Sequence, residues 1–334
     1  MPKSAVYSGK ETFQFDRELT EVTFAKGVTK IGDNAFEGCL SLTAITIPDS
    51  VTSIGNGAFW GCSSLTAITI PDSVTTIGNH AFRGCSSLAA ITIPKGVTTI
   101  GTYAFVECSS LTAITIPDGV TSIGYCAFRG CSSLPAITIP DGVTKIDGSA
   151  FEGCTSLTAI TIPKGVTTIG NFAFQGCSSL TAITIPDGVT IIGDYAFREC
   201  SSLEAITIPA SLTTIRSGAF SGCTALTRLS LSPEVYIVYE CFSNCTALIS
   251  AAADQNMATV EDLLHSRWHR IRERVTVLSC LKTLFTDQPR RSDRLKRKRL
   301  GCGEASTLSV STLGVTATRK RLPKVMWRVI LEFL

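Results

Sequence analysis

Apolar residues return along this chain with a period too long for one helix or strand and too regular for a loop. In residues 65–87, LTAITIPDSVTTIGNHAFRGCSS, they stand at Leu65, Ile68, Ile70, Val74, Ile77, Ala81, Phe82 and Cys85. The leading leucine recurs at Leu19, Leu42, Leu65, Leu88, Leu111, Leu134, Leu157, Leu180, Leu203 and Leu226, a constant step of 23. Within one unit Ile68 and Ile70 alternate with Thr69, the period-two pattern of a short strand with one buried face. Pro71 ends that strand because it has no N–H for a ladder. Asp72-Ser73 supplies a turn, replaced by Asp118-Gly119 or Lys164-Gly165 in other units. Val74–Ile77 reads as a second extended piece, and Gly78 permits a sharp change of direction. Ala81–Cys85 is too short for an α-helix and is expected to make one tight helical turn.

No unit of this size buries its own leucine, isoleucines and phenylalanine. Stacking equivalent units at about 4.8 Å buries them all in continuous ladders, so ten coils would extend roughly 50 Å. Burying one Ile or Phe contributes roughly 1.5–3 kcal/mol, enough over ten coils to offset the ordering of so much backbone. The expected architecture is a repeat solenoid over residues 19–248, strand-rich with short helical turns.

The recurring string LxxIxIP-(D/K)-(G/S)-V-T-x-I-G-x-x-A-F-x-x-C resembles the leucine-rich repeats of the BspA-like, surface-antigen type. The resemblance covers about Leu19–Leu248 in ten copies. It implies a right-handed superhelix with a strand-lined concave face, and binding of proteins or extracellular surfaces rather than catalysis.

Residues 1–18 read as an N-terminal cap, in which Phe13 and Phe15 alternate with Gln14 and Asp16 as in a covering strand. The coil pattern shortens by one residue before Leu248. Residues 249–286 then place Val260, Leu264, Trp268, Ile271, Val275 and Leu278 at helical spacing behind Thr259, a helical C-terminal cap. Residues 287–315 are polar and aperiodic, the composition of a disordered linker. Residues 316–334 form an amphipathic helix on Leu322, Met326, Val329, Ile330 and Phe333. Its Leu322, Pro323, Ile330, Leu331 and Leu334 resemble the opening of an F-box, which implies an adaptor joining the repeats to a ubiquitin ligase.

Charge divides the chain. Residues 1–248 hold 13 Lys+Arg against 19 Asp+Glu, a net of −6; the remaining 17 against 8 give +9. The positive part is concentrated in Arg290, Arg291, Lys296, Arg297, Lys298 and Arg299, a candidate nuclear signal for an import factor. No aromatic residue interrupts that run, so no specific nucleic-acid readout is expected. The first sixteen residues contain no apolar leader and no apolar run reaches membrane length. The expected location is therefore intracellular, cytoplasmic or nuclear, with a cell-surface or secreted adhesin as the alternative.

Ten of the 14 cysteines fall once per coil, from Cys39 to Cys245. Without any CxxC pair they are expected to be buried free thiols rather than zinc ligands. The file Asp49, Asp72, Lys95, Asp118, Asp141, Lys164, Asp187 relieves its own repulsion through its lysines, so no metal is expected there. His80, His265 and His269 are the only histidines, and no phosphate loop or cleft-forming carboxylate pair occurs. No catalytic residue, cofactor or metal is expected.

The strand positions that face outward are monotonous, with Ala44, Ala67 and Ala90 in one file and Thr46, Thr69 and Thr92 in another. Variation sits elsewhere. Gly57, His80, Tyr103, Cys126, Ser149, Phe172 and Tyr195 share one coil position, and Trp60, Arg83, Val106, Arg129, Glu152 and Gln175 share another. The expected function is a noncatalytic scaffold for protein partners, with Trp60, Arg83, Tyr103, Phe172 and Tyr195 as anchors along this edge.

Overall fold

The computed structural model describes residues 3–230, 235–238 and 240–247. Each coil contributes two short strands, as in Ala67–Thr69 and Thr76–Ile77. Each strand pairs in parallel with its counterpart 23 residues away: Ala44 opposite Ala67, Ile45 opposite Ile68, Ser53 opposite Thr76 and Ile54 opposite Ile77. The Ala-Ile-Thr strands bury the isoleucine and expose the alanine and threonine, as period two requires. Val74 N–H closes the following turn onto the Pro71 carbonyl at 3.1 Å. The fold is a solenoid of stacked parallel-strand coils.

Equivalent side chains meet equivalent side chains throughout the core. Leu88, Leu111 and Leu134 are all fully buried in it. Phenylalanine rings stack from Phe36 through Phe220 to Phe242, with centroids 5.2–5.5 Å apart and planes within 1–11°. That spacing with near-parallel planes is an offset stack, favoured over a face-on sandwich by the ring quadrupole. Phe242 follows Phe220 by 22 residues yet still stacks at 5.3 Å, so the short last coil is back in step by that ring.

The cysteine file is more than apolar filling. Nine thiols of the file donate to the carbonyl of a phenylalanine 26 residues earlier, as Cys62 to Phe36 at 3.0 Å, Cys85 to Phe59 at 3.1 Å and Cys131 to Phe105 at 3.2 Å, and Cys245 donates to Phe220, 25 residues earlier. Burial pushes these thiols up, Cys39 to about 11 and Cys108 and Cys154 to about 12. All twelve cysteines among the described residues are free.

The expected helical turn is absent. In Gly57–Cys62 alternate N–H groups leave the coil: Gly57, Phe59 and Gly61 donate to Asn79, Ala81 and Arg83 of the next coil at 2.8, 2.8 and 2.7 Å. The intervening Ala58, Trp60 and Cys62 close three-residue turns onto Gly55, Gly57 and Phe59. A 3₁₀ turn would have turned every N–H inward. Two left-handed residues per coil, Gly57 at φ 59° and Gly61 at φ 72°, rotate alternate peptides to point along the stack instead.

At the N-terminus the extended strand is Lys3–Tyr7, paired in parallel with Leu19–Phe24. Phe13 and Phe15, expected in a covering strand, instead donate to Ala35 and Glu37 and so begin the edge ladder, and Phe13 stacks on Phe36.

The Ala-Ile-Thr sheet has two seams. It runs from Ala44–Thr46 to Ala67–Thr69, restarts at Ala90–Thr92 and Ala113–Thr115, and restarts again at Ala136–Thr138. The second seam has a cause in sequence. Pro135 replaces the threonine whose N–H bonds the preceding coil elsewhere (Thr66 to Thr43 at 2.8 Å, Thr112 to Ala89 at 2.8 Å). At the first seam Ala89 lacks the threonine hydroxyl that reaches back at 3.0 Å from Thr66 and Thr112. Ile68 and Ile114, just before the seams, are half-buried, whereas Ile45, Ile91 and Ile137 are buried. The second strand file also breaks at the first seam, between Thr76–Ile77 and Thr99–Ile100.

Candidate functional site

The variable coil position is one of the two left-handed positions. Asn34, His80, Tyr103, Cys126, Ser149, Phe172 and Tyr195 all hold φ between 53° and 59°, while Gly57 and Gly218 occupy the same place at 59° and 60°. A side chain there costs roughly 1–2 kcal/mol more than glycine. The file is conformationally constrained, yet most of its members are not glycine.

On the N-terminal half of this edge the structure gathers the expected anchors. The His80 ring lies between Trp60 and Tyr103, with centroids at 5.5 and 4.7 Å and planes at 25° and 14°. The Arg83 guanidinium sits 4.9 Å from the Trp60 ring centre and 6.0 Å from that of Tyr103. Tyr125 meets Tyr103 edge-on at 5.6 Å and is exposed. His80 Nδ1 is buried without a hydrogen-bond partner, and desolvation together with the Arg83 charge lowers the imidazole pKa. A neutral imidazole is the form that stacks without adding charge beside a guanidinium.

Phe172 and Tyr195 form a separate pair, stacked at 5.3 Å with Arg198 at 5.6 Å from the Tyr195 ring. Between the two groups Cys126 and Ser149 are buried, as is Val106 in the neighbouring file. The five expected anchors therefore make two clusters rather than one continuous strip.

A ladder of side-chain caps supports the edge. Asp33 Oδ1 accepts from Asn56 N–H at 2.7 Å, Asn56 Oδ1 from Asn79 N–H at 2.9 Å and Asn79 Oδ1 from Thr102 N–H at 2.9 Å. The ladder resumes where Asn171 Oδ1 accepts from Asp194 N–H at 2.9 Å. In the gap stand Tyr125 and Gly148, and a Cβ on Gly148 would come within 2.9 Å of the Tyr125 ring. Reading the sequence by variable files missed Tyr125. The signal was its place in a file otherwise made of Asp, Asn, Thr, Ser and Gly.

Beside Trp60, on the side away from His80's coil, lies a shallow groove of about 310 Å³ lined by Phe15, Arg17, Glu37, Gly38, Leu40, Trp60 and Gly61. Among the described residues no group of three or more His, Cys, Asp or Glu is placed to hold a metal. No described helix is long and apolar enough to cross a membrane. The basic run Arg290, Arg291, Lys296, Arg297, Lys298 and Arg299, the histidines His265 and His269, and both expected C-terminal helices lie outside the described residues.

Three solved proteins are similar to this chain in sequence. A leucine-rich cell surface protein of Faecalibacterium prausnitzii is 32% identical over 74% of this chain and 81% of its own, with a TM-score of 0.43. A leucine-rich repeat protein of Treponema pallidum is 33% identical over 53% of this chain and 77% of its own, at 0.45. The pneumococcal vaccine antigen PcpA is 19% identical over 75% and 74%, at 0.43. No curated protein matches the chain. The family described as "BspA type Leucine rich repeat region (6 copies)" matches residues 6–134, 98–198, 127–249 and 167–274. With its coils, its core ladders and that match over most of its length, the chain belongs to the BspA-type leucine-rich repeat family.

Proposed function

We propose that this protein is a noncatalytic, protein-binding solenoid whose recognition surface is the variable left-handed edge rather than the alanine–threonine sheet. One observation carries the reading. His80, Tyr103, Phe172 and Tyr195 place large rings at a backbone position where glycine, present at Gly57 and Gly218, would be less strained. Strain retained at half-buried rings that still reach the surface is a mark of side chains kept for what they contact. The rings are also rigid and amphipathic, which makes them effective anchors at low entropic cost.

The family resemblance favours the surface-adhesin reading over the intracellular one, since the relative at 32% identity is described as a cell surface protein. The buried thiol file is compatible with that setting, because thiolate is the reactive form and burial suppresses it. Nothing in the relatives speaks for nuclear import or for a ubiquitin-ligase adaptor.

Affinity capture with the full chain tests the reading. A partner retained by the native protein should be lost by Trp60→Ala/Tyr103→Ala or by Phe172→Ala/Tyr195→Ala, with thermal unfolding monitored in parallel. Equal retention by both folded variants would place recognition elsewhere.

A further inference from the structure

We propose that the groove beside Trp60 docks a short acidic segment of a protein partner that inserts one aliphatic or aromatic side chain. The proposal deepens the protein-binding reading and rests on it. Exposed large apolar residues are few along the described chain: Val6, Phe15, Leu40, Trp60, Tyr125 and Tyr236. Phe15, Leu40 and Trp60 converge on this one groove. Its floor includes Gly38 and Gly61, at φ 69° and 72°, so no side chain fills it from below. The Phe15 ring lies so close over Gly38 that a Cβ there would approach Cδ1 to 2.6 Å. The result is a three-sided apolar seat open to solvent, with room for one side chain.

Charge selects the occupant. Three arginines of the edge are already committed to carboxylates: Arg129 to Glu152 at 3.2 Å, Arg198 to Glu199 at 3.0 Å and Arg216 to Asp194 at 3.7 Å. Arg17 in the groove and Arg83 across the Trp60 ring make no ion pair among the described residues. The groove's own carboxylate, Glu37, accepts from Gln14 Nε2 at 2.6 Å. Arg17 in the groove lining and Arg83 against the Trp60 ring are therefore the two uncommitted donor forks beside the apolar seat, each of a shape that receives a carboxylate bidentately.

Strand addition is not available here, because the edge N–H groups of Gly38 and Gly61 are spent on Trp60 and Arg83 of the next coil at 2.7 Å each. Recognition must come from side chains. A long polyanion is disfavoured at range, since residues 1–248 carry a net −6. A short motif that combines apolar burial with one or two carboxylates fits both the seat and its rim.

Selection of a random-peptide phage library on the full chain tests this directly. Enriched peptides are expected to carry Asp or Glu flanking a Leu, Ile, Phe or Trp. A synthetic copy of the leading peptide should bind in fluorescence anisotropy with affinity that falls from 50 to 300 mM NaCl, on the order of tenfold with Arg83→Gln and likewise with Trp60→Ala. Arg83→Lys should recover only part of the loss, since it keeps charge without the fork. Circular dichroism keeps folding failures apart from binding failures, and all these side chains lie on the surface. Absence of enrichment, a consensus without acidic residues, or binding indifferent to Arg83→Gln and Trp60→Ala would overturn the proposal. If enriched peptides instead lose binding with Phe172→Ala/Tyr195→Ala, the protein-binding reading survives and this groove does not.

Discussion

Raising the pH should unfold this protein in a narrow window set by its cysteine file. Every thiol of that file is buried, and desolvation raises each pKa, with Cys39 and Cys245 at about 11 and Cys108, Cys154 and Cys200 at about 12. In the unfolded chain a thiol ionises near 8.5. The folded pKa lies above the unfolded one, so the stability is fully present below about pH 8.5 and is lost as pH climbs toward the folded values. One thiol then loses about 0.4 kcal/mol at pH 8.5 and about 1.4 kcal/mol at pH 9.5. Ten such thiols lose about 4 and about 14 kcal/mol, the latter comparable to the whole stability of a typical domain. Urea titrations followed by far-UV circular dichroism at pH 7.5, 8.5 and 9.5, with a phosphine reductant present, should show the midpoint collapsing over that interval. Replacing Cys85, Cys108, Cys131 and Cys154 by alanine should remove about 40% of the drop while lowering the starting stability. A midpoint that holds steady from pH 7.5 to 9.5 would refute the burial of the thiols and the register that places them together.

Three further outcomes follow from the same stack. Phe128→Leu keeps most of the buried volume but removes two ring contacts, at about 0.5–1.5 kcal/mol each. Combined with Phe151→Leu it removes three contacts rather than four, whereas with Phe197→Leu it removes all four. Chemical denaturation of the double variants should therefore show coupling only for the adjacent pair. Glu107 sits at φ 60° where neighbouring coils have glycine, so Glu107→Gly should raise stability by about 0.5–1 kcal/mol and Gly153→Ala should lower it by about 1–2 kcal/mol, read as shifts in urea midpoint. In hydrogen exchange the amides of Ala90–Thr92 and Ala136–Thr138, each beginning a new sheet segment, should exchange about fivefold faster than those of Ala159–Thr161, paired on both sides.

The ladders were legible because a 23-residue step leaves each apolar type one place to go. Leu, Ile, Phe and Cys positions read from one coil predicted burial in the rest. The edge was less legible. Ala81–Cys85 has the composition of a tight turn, and nothing local says that alternate peptides are rotated, because that rotation is stabilised by bonds to a coil 23 residues on. The variable file looked like free surface, yet its φ values are dictated by the same inter-coil bonds. Trp60, Arg83 and Tyr103 lie together because they are close in both file and coil number. Phe172 and Tyr195 share the file of Tyr103 but are separated from that ring by Cys126 and Ser149, which are buried. Arg17 and Leu40 escaped notice because their significance is spatial, arising only where the first coils bring them beside Trp60.

Between successive coils the hydrogen bonds run in both senses. The edge amides of Gly57, Phe59 and Gly61 donate forward to the next coil, whereas those of Thr52, Gly55, Thr66, Thr75 and Gly78 donate back to the one before. An α-helix aligns every peptide and accumulates opposite partial charges at its two ends. Here the forward and backward rows oppose one another, so lengthening the array by whole coils adds little electrostatic penalty at either end.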